Sequence, residues 1–181
     1  ISIEDLETGH EFFSGFARVI NACRTCPKFI IGRVQGKAVG GGVGIAAACD
    51  YVLASQEASI KLSELAIGIG PFVIEPAVSR KIGKIALAEL SLTAQEWKSA
   101  AWAKEKGLYA NTFESIEKLD EAVAEFTRQL ATYNPEAVTA MKKVLWEGTE
   151  HWDALLVERA AITGKLVISE ATKTALAAFK K

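Results

Sequence analysis

Two features of this sequence could do chemistry together. Gly40-Gly41-Gly42 precedes the small, apolar run Val43 to Cys49, and Glu64 stands in the mostly apolar stretch Leu62 to Ile69. Glycine costs conformational entropy, so three in a row mark tight backbone geometry or close approach to a ligand. The first N–H groups of a following helix lack intrahelical partners and lie at the positive end of its dipole. Such a turn can hold an anion or stabilise negative charge developing on an oxygen. A carboxyl among apolar neighbours is held toward its neutral form, which suits proton transfer. Plainer readings stand beside these: a turn that only packs against a strand, and a glutamate that caps a short helix or pairs with a lysine.

Other candidates have weaker contexts. Gly42-Val43-Gly44-Ile45-Ala46-Ala47 satisfies G-x-G-x-x-A, with Glu64 near the distance of a dinucleotide fingerprint's acidic residue. That fingerprint should follow a buried strand at once, whereas Gln35-Gly36-Lys37-Ala38 intervenes, and its acid should end the next strand, which Glu64 overshoots. Cys23 and Cys26 form a CxxC, but a structural zinc site needs four ligands, and His10 and His151 lie far apart. With Cys49 they read as three reduced thiols in a reducing, cytoplasmic compartment, with no metal and no cofactor. Glu75, before Pro76, reads as a helix N-cap rather than a catalytic acid, and Arg80, Lys81 and Lys84 as a solvated helix face.

The elements that must position these residues fall in one uninterrupted chain of 181 residues. Helical spacing of Leu6, Phe12, Phe13, Phe16, Val19, Ile20 and Cys23 predicts an amphipathic helix over 3–24, closed by Pro27. Strands are expected at 29–34, 51–54 and 58–62, with a buried helix over 43–49 after the glycine turn. Thr93-Ala94-Gln95-Glu96 has the form of a capping box, predicting a helix from there to Gly107. A short strand at 108–110 follows, then helices over 116–132, from Asn134-Pro135, over 151–166 and over 169–181. Charges nearly cancel, 22 acidic against 21 basic, which gives no reason to expect nucleic acid. No stretch is long and apolar enough to span a bilayer. The start at Ile1 is read as carrying no signal peptide.

At these same residues the sequence resembles the enoyl-CoA hydratase/isomerase (crotonase) superfamily. Phe29 to Gly42 is similar to that family's strand, N/Q-G-x-A-x-G-G-G turn and helix start. Ala48-Cys49-Asp50 matches its A-x-C-D, and Glu64-Leu65-Ala66-Ile67-Gly68 its E-x-x-(aliphatic)-G. Leu92-Thr93-Ala94 with Ala100-Ala101 and Gly107-Leu108, then Ala178-Phe179-Lys180-Lys181, resemble later segments in order. Bacterial methylglutaconyl-CoA hydratase-like members look nearest, on Gly40 to Ile45 and Pro71 to Ile74.

The resemblance implies an α/β fold, a spiral of ββα units over about 1–110. A helical region over about 111–181 would assemble trimers or dimers of trimers. It implies acyl-CoA thioester substrates, with coenzyme A entering only as part of the substrate, and neither membrane nor nucleic-acid partners. Gly41 matches one of two backbone donors that hold an enolate oxygen, and Glu64 the proton carrier. Gly40, Gly42, Gly44, Pro71 and Phe72 are expected along the substrate. The second donor belongs to a loop upstream of Ile1, so the domain is expected to lack its N-terminal strands and part of its site. Two departures stand out: Gly44 occupies the place of a hydratase's second glutamate, and Pro71-Phe72-Val73-Ile74 replaces a P-G-A/G-G. Hydration of a 2-enoyl-CoA is the leading expectation. Isomerisation by Glu64 alone comes second, and a non-catalytic CoA- or RNA-binding member third. Phe12, Phe13 and Phe16 read as core or as an acyl-pocket wall, and Lys180 and Lys181 as solvated or as phosphate contacts.

Overall fold

The computed structural model describes residue 3 and residues 5–179. The first helix, α1 (Leu6–Thr25), starts where Asp5 accepts a hydrogen bond from the Thr8 N–H at 2.7 Å. Its buried face carries Phe13, Ala17 and Ile20, three to four residues apart, and it stops just before Pro27. A parallel sheet follows, formed by β1 (Ile31–Val34), β3 (Tyr51–Ser55) and β6 (Asn111–Phe113) in the order β1-β3-β6. The second sheet joins β2 (Ala38–Val39) in parallel to β4 (Ser59–Lys61), and β4 in antiparallel to β5 (Lys98–Ser99). Between β2 and β3 runs α2 (Gly41–Ala48), whose Val43, Ala46, Ala47 and Ala48 are buried as its small side chains predict.

The rest is helical, and the fold is the α/β class expected. A 3₁₀ turn, Leu65–Ile67, leads to α3 (Glu75–Leu92), kinked at Gly83 with φ 74°. Then come α4 (Ala100–Glu105), α5 (Ile116–Leu130), α6 (Pro135–Leu145), α7 (Trp152–Val167) and α8 (Glu170–Phe179). Asn134 caps α6 as predicted, accepting from the Glu136 N–H at 2.9 Å. Helices α1 and α7 cross at a pair of glycines, where a Cβ on Gly9 would lie 2.9 Å from the Gly164 carbonyl oxygen. No helix among the described residues is long and apolar enough to cross a membrane.

Several local expectations are corrected. Thr93 does not open a helix but ends α3, its hydroxyl donating to the Glu89 carbonyl at 2.9 Å. Helix α4 begins instead at Ser99, whose hydroxyl accepts from the Trp102 N–H. Gly107, at φ 90°, does end that helix as read. The strand expected at 108–110 lies at 111–113, because the Leu108 and Tyr109 N–H groups first turn back to the Ala103 carbonyl. Glu75 caps nothing: it is the first residue of α3, and its carboxylate lies 3.9 Å from Arg159 on α7. Arg80 and Lys81 are not merely solvated. Arg80 stacks over the Trp146 ring at 4.1 Å, and Lys81 donates to the Asp50 carbonyl at 2.8 Å. Lys180 and Lys181 lie outside the described residues.

Candidate functional site

The site is assembled by the pairing of two very short strands. Val39 of β2 sits opposite Lys61 of β4, so the residues that follow each strand emerge side by side. Gly40 N–H donates to the Lys61 carbonyl at 2.9 Å, pinning the glycine turn to β4. Gly40 has φ 53° and ψ −115°, a conformation closed to ordinary L residues. It has a second reason to be glycine: a Cβ there would lie 2.8 Å from Glu64 Oε1. Sequence positions 24 apart thus meet in van der Waals contact.

Helix α2 starts at this point. The Gly40 carbonyl accepts from the Val43 and Gly44 N–H groups at 2.9 and 3.1 Å. The Gly41 and Gly42 N–H groups find no acceptor among the described residues, as the opening of a helix leaves them. Gly41, Glu64, Gly70, Pro71, Val73, Ile74, Phe13, Phe16 and Thr163 line one small cleft of about 30 Å³, room for about one water. Gly41 at the head of a buried helix and Glu64 therefore line one cavity.

Glu64 neither caps an α-helix nor pairs with a lysine. It precedes the 3₁₀ turn with no side-chain cap bond, and Oε2 is buried without a hydrogen-bond partner. Burial pushes its carboxyl up to about 7. A buried acid that nothing neutralises is poised to hold or release a proton near neutral pH.

The remaining sequence candidates divide. Pro71 lines the cleft with Gly41 and Glu64, and Gly40 backs the carboxyl. Gly42, Gly44 and Phe72 are not among the lining residues. Phe72 lays its ring against Gly70, where a Cβ would meet it at 2.5 Å. At Gly44 a Cβ would lie 2.3 Å from Ile74 Cγ2, so Ile74 fills the space any side chain there would need. Phe13 belongs to the core, Phe16 packs against it, and both line this cleft, the Phe16 ring covering Gly41 so closely that a Cβ would sit 2.1 Å away.

Thr163 went unread. It lies in the buried stripe Trp152, Leu156, Ala160, Thr163 of α7, and a hydroxyl in such a stripe was the available signal. A larger hollow of about 420 Å³ opens between Phe29, Ile31, Tyr133 and Val138, but it has no acid on its walls. No group of three His, Cys, Asp or Glu side chains among the described residues is arranged to hold a metal ion.

Comparison with known proteins gives a consistent result. The family model described as "Enoyl-CoA hydratase/isomerase" matches residues 4–180. The chain is 35% identical over 135 residues to the peroxisomal Delta(3,5)-Delta(2,4)-dienoyl-CoA isomerase of Arabidopsis thaliana, covering 72% of this chain and 47% of that protein. It is 32% identical over 124 residues to the 2,3-dehydroadipyl-CoA hydratase of Escherichia coli (strain K12), covering 68% and 48%. It thus spans about half the length of these relatives. The crystal structure of an enoyl-CoA hydratase from Mycobacterium avium superposes with a TM-score of 0.89 at 25% identity, covering 97% of this chain and 68% of that one.

Proposed function

The chain belongs to the enoyl-CoA hydratase/isomerase family, and from that premise we propose that it moves a proton on an enoyl-CoA thioester with Glu64 as the sole acid–base group. One observation carries this reading: Glu64, its carboxyl held at about 7 with Oε2 unpartnered, lines the same cleft as Gly41 at the head of α2. In the proposed step Glu64 removes a carbon-bound proton. The electron pair moves toward the thioester carbonyl, and the Gly41 N–H donates to the resulting enolate oxygen. Glu64 then returns the proton at another carbon of the same conjugated system, so the double bond shifts and nothing else is consumed.

Isomerisation is favoured over hydration by the contact between Gly44 and Ile74. The resemblance places a hydratase's second glutamate at position 44, and Ile74 occupies the volume it would fill. Hydration is the second reading, supported by relatives named as hydratases and by a cleft with room for about one water. In that reading water adds to the β-carbon and a proton to the α-carbon. A methylglutaconyl-type substrate would bring a carboxylate of its own to hold the water. We also assign α5 to α8 to subunit assembly as trimers or dimers of trimers. The three cysteines, all free, fit a cytoplasmic, reducing setting.

Replacement of Glu64 by Gln tests the core of this proposal. Turnover of enoyl-CoA substrates should fall about a thousandfold while acyl-CoA binding changes little. Unchanged turnover would rule out this mechanism, whereas acyl-CoA binding with no turnover by the unsubstituted protein would leave a non-catalytic CoA- or RNA-binding role. Product analysis separates the two chemistries: bond migration alone supports isomerisation, and a hydroxyacyl-CoA supports hydration.

A further inference from the structure

The turn that carries Glu64 is held by a distant part of the chain. Leu65 to Ile67 has no fully buried residue and Leu65 is 48% exposed; the segment is held by Ile67 against the core and by the buried Leu62 and Ile69 on either side. Its internal bonds are the Ile67 and Ile69 N–H groups to the Glu64 carbonyl, at 3.2 and 3.0 Å, and Gly68 N–H to Leu65. These set the shape of the turn, and the core contacts hold its two flanks.

Helix α8 adds a polar anchor at the far end of the turn. Thr172 is fully buried, and its hydroxyl lies 2.9 Å from both the Gly68 and the Leu166 carbonyl oxygens. It also accepts from the Ser169 hydroxyl at 3.2 Å. One hydroxyl carries one proton, so it donates to one of the two carbonyls at a time. Gly68 has φ 83°, and a Cβ there would meet Thr172 Oγ1 at 2.8 Å and Thr172 Cα at 2.9 Å. Helix and turn are therefore in backbone contact, with a hydroxyl bridging them.

We propose that Thr172 is a positioning residue: by donating to the Gly68 carbonyl it presses the Glu64 turn against Gly40 and keeps the carboxyl in its apolar seat. The proposal rests on the reading of Glu64 as the proton carrier. Only three residues separate Glu64 from Gly68, so a shift at one end of the turn is carried to the other. Displacements near 1 Å in a reacting site cost up to about a hundredfold in rate.

Thr172→Val removes the hydroxyl at nearly constant volume, and Thr172→Ser keeps it. Carbon-13 NMR titration of the Glu64 carboxyl, assigned by its loss in Glu64→Gln, reads the seat directly. In the valine variant the midpoint should fall by about one unit or more, toward the ordinary 4.5, as water reaches the carboxyl. Its kcat should drop roughly tenfold or more with KM little changed, and serine should restore both. A valine variant that keeps the Glu64 midpoint and kcat overturns the proposal. If the valine variant does not fold, hydrogen exchange of the unsubstituted protein decides. The Ile69 and Lys173 amides should then open as one unit, and a protected Ile69 beside a freely opening Lys173 would refute the bridge. The titration needs no turnover, so positioning is judged separately from whether Glu64 catalyses.

Discussion

Asp50 and Glu64 are both withdrawn from water, and the protein treats them in opposite ways. Asp50 Oδ1 accepts from the Trp146 indole at 2.6 Å, and Oδ2 from the Ile30 N–H at 2.7 Å and from the Lys142 ammonium. Lys142 also donates to the Cys23 carbonyl at 2.8 Å, and the Lys142 and Asp50 side chains are only 2% and 5% exposed. Both oxygens of this carboxylate are bonded, by three donors in all, and it ties α1, β1, α2 and α6 into one corner. Glu64 has an oxygen with no partner, in a cleft walled by Phe13, Phe16, Val73 and Ile74. An acid bonded at both oxygens is committed to the fold. One left unpaired can exchange its proton.

The hardest test of that contrast removes one partner from the Asp50 corner. Lys142→Met leaves a buried carboxylate without its counter-charge and should destabilise the protein by about 3–5 kcal/mol, read from the urea midpoint at constant m. Adding Asp50→Asn should recover a large part of the loss, since the uncompensated charge is then gone. A cost below about 1 kcal/mol for the single variant would mean that the corner is wetter than its burial indicates. The contrast would then fail.

The two regions were unequally legible in the sequence. The Glu64 cleft announced itself through types and spacing: three glycines before small residues, then a carboxylate in an apolar run. The Asp50 corner did not, because Lys142 and Trp146 lie 92 and 96 positions from Asp50 and each sits in an ordinary helical pattern. Strands of two residues, β2 and β5, are too short for periodicity to reveal, yet β2 sets Val39 opposite Lys61 and so brings Gly40 beside Glu64. The capping-box pattern at Thr93 misled for a related reason. Burial of Ala86, Leu87 and Leu90 carries α3 through Leu92, so Thr93 is spent closing that helix. Local signals are overridden wherever a distant surface sets where the helix must end.

The empty surroundings of Glu64 can be probed through Gly44. Gly44→Ala should cost about 1–3 kcal/mol, because the new methyl meets Ile74 at 2.3 Å inside a packed core. Ile74→Ala made in the same chain should remove most of that penalty, giving a favourable coupling in a double-mutant cycle. Additive losses would show that Ile74 is not what bars a side chain from position 44. The isomerase reading would then lose its structural support.

The smallest effect expected is also the most direct signature of an unpaired acid. Native Glu64 titrates at about 7 and the unfolded residue near 4.5, so between these values the native state keeps a proton that the unfolded state releases. Stability therefore falls as pH rises through this window, and the cost of the buried charge is complete only above about 7. Glu64→Gln has no such charge. Relative to the unsubstituted protein it should gain on the order of 1–2 kcal/mol at pH 8 and nothing at pH 4.5, read as the difference of two urea unfolding series. For Asp50 the sign should be reversed: Asp50→Asn keeps one acceptor oxygen and puts an amide donor where the other stood, among three converging donors, and should destabilise at pH 8. If both amides destabilised at pH 8, Glu64 would be another bonded structural acid, with no proton free for catalysis.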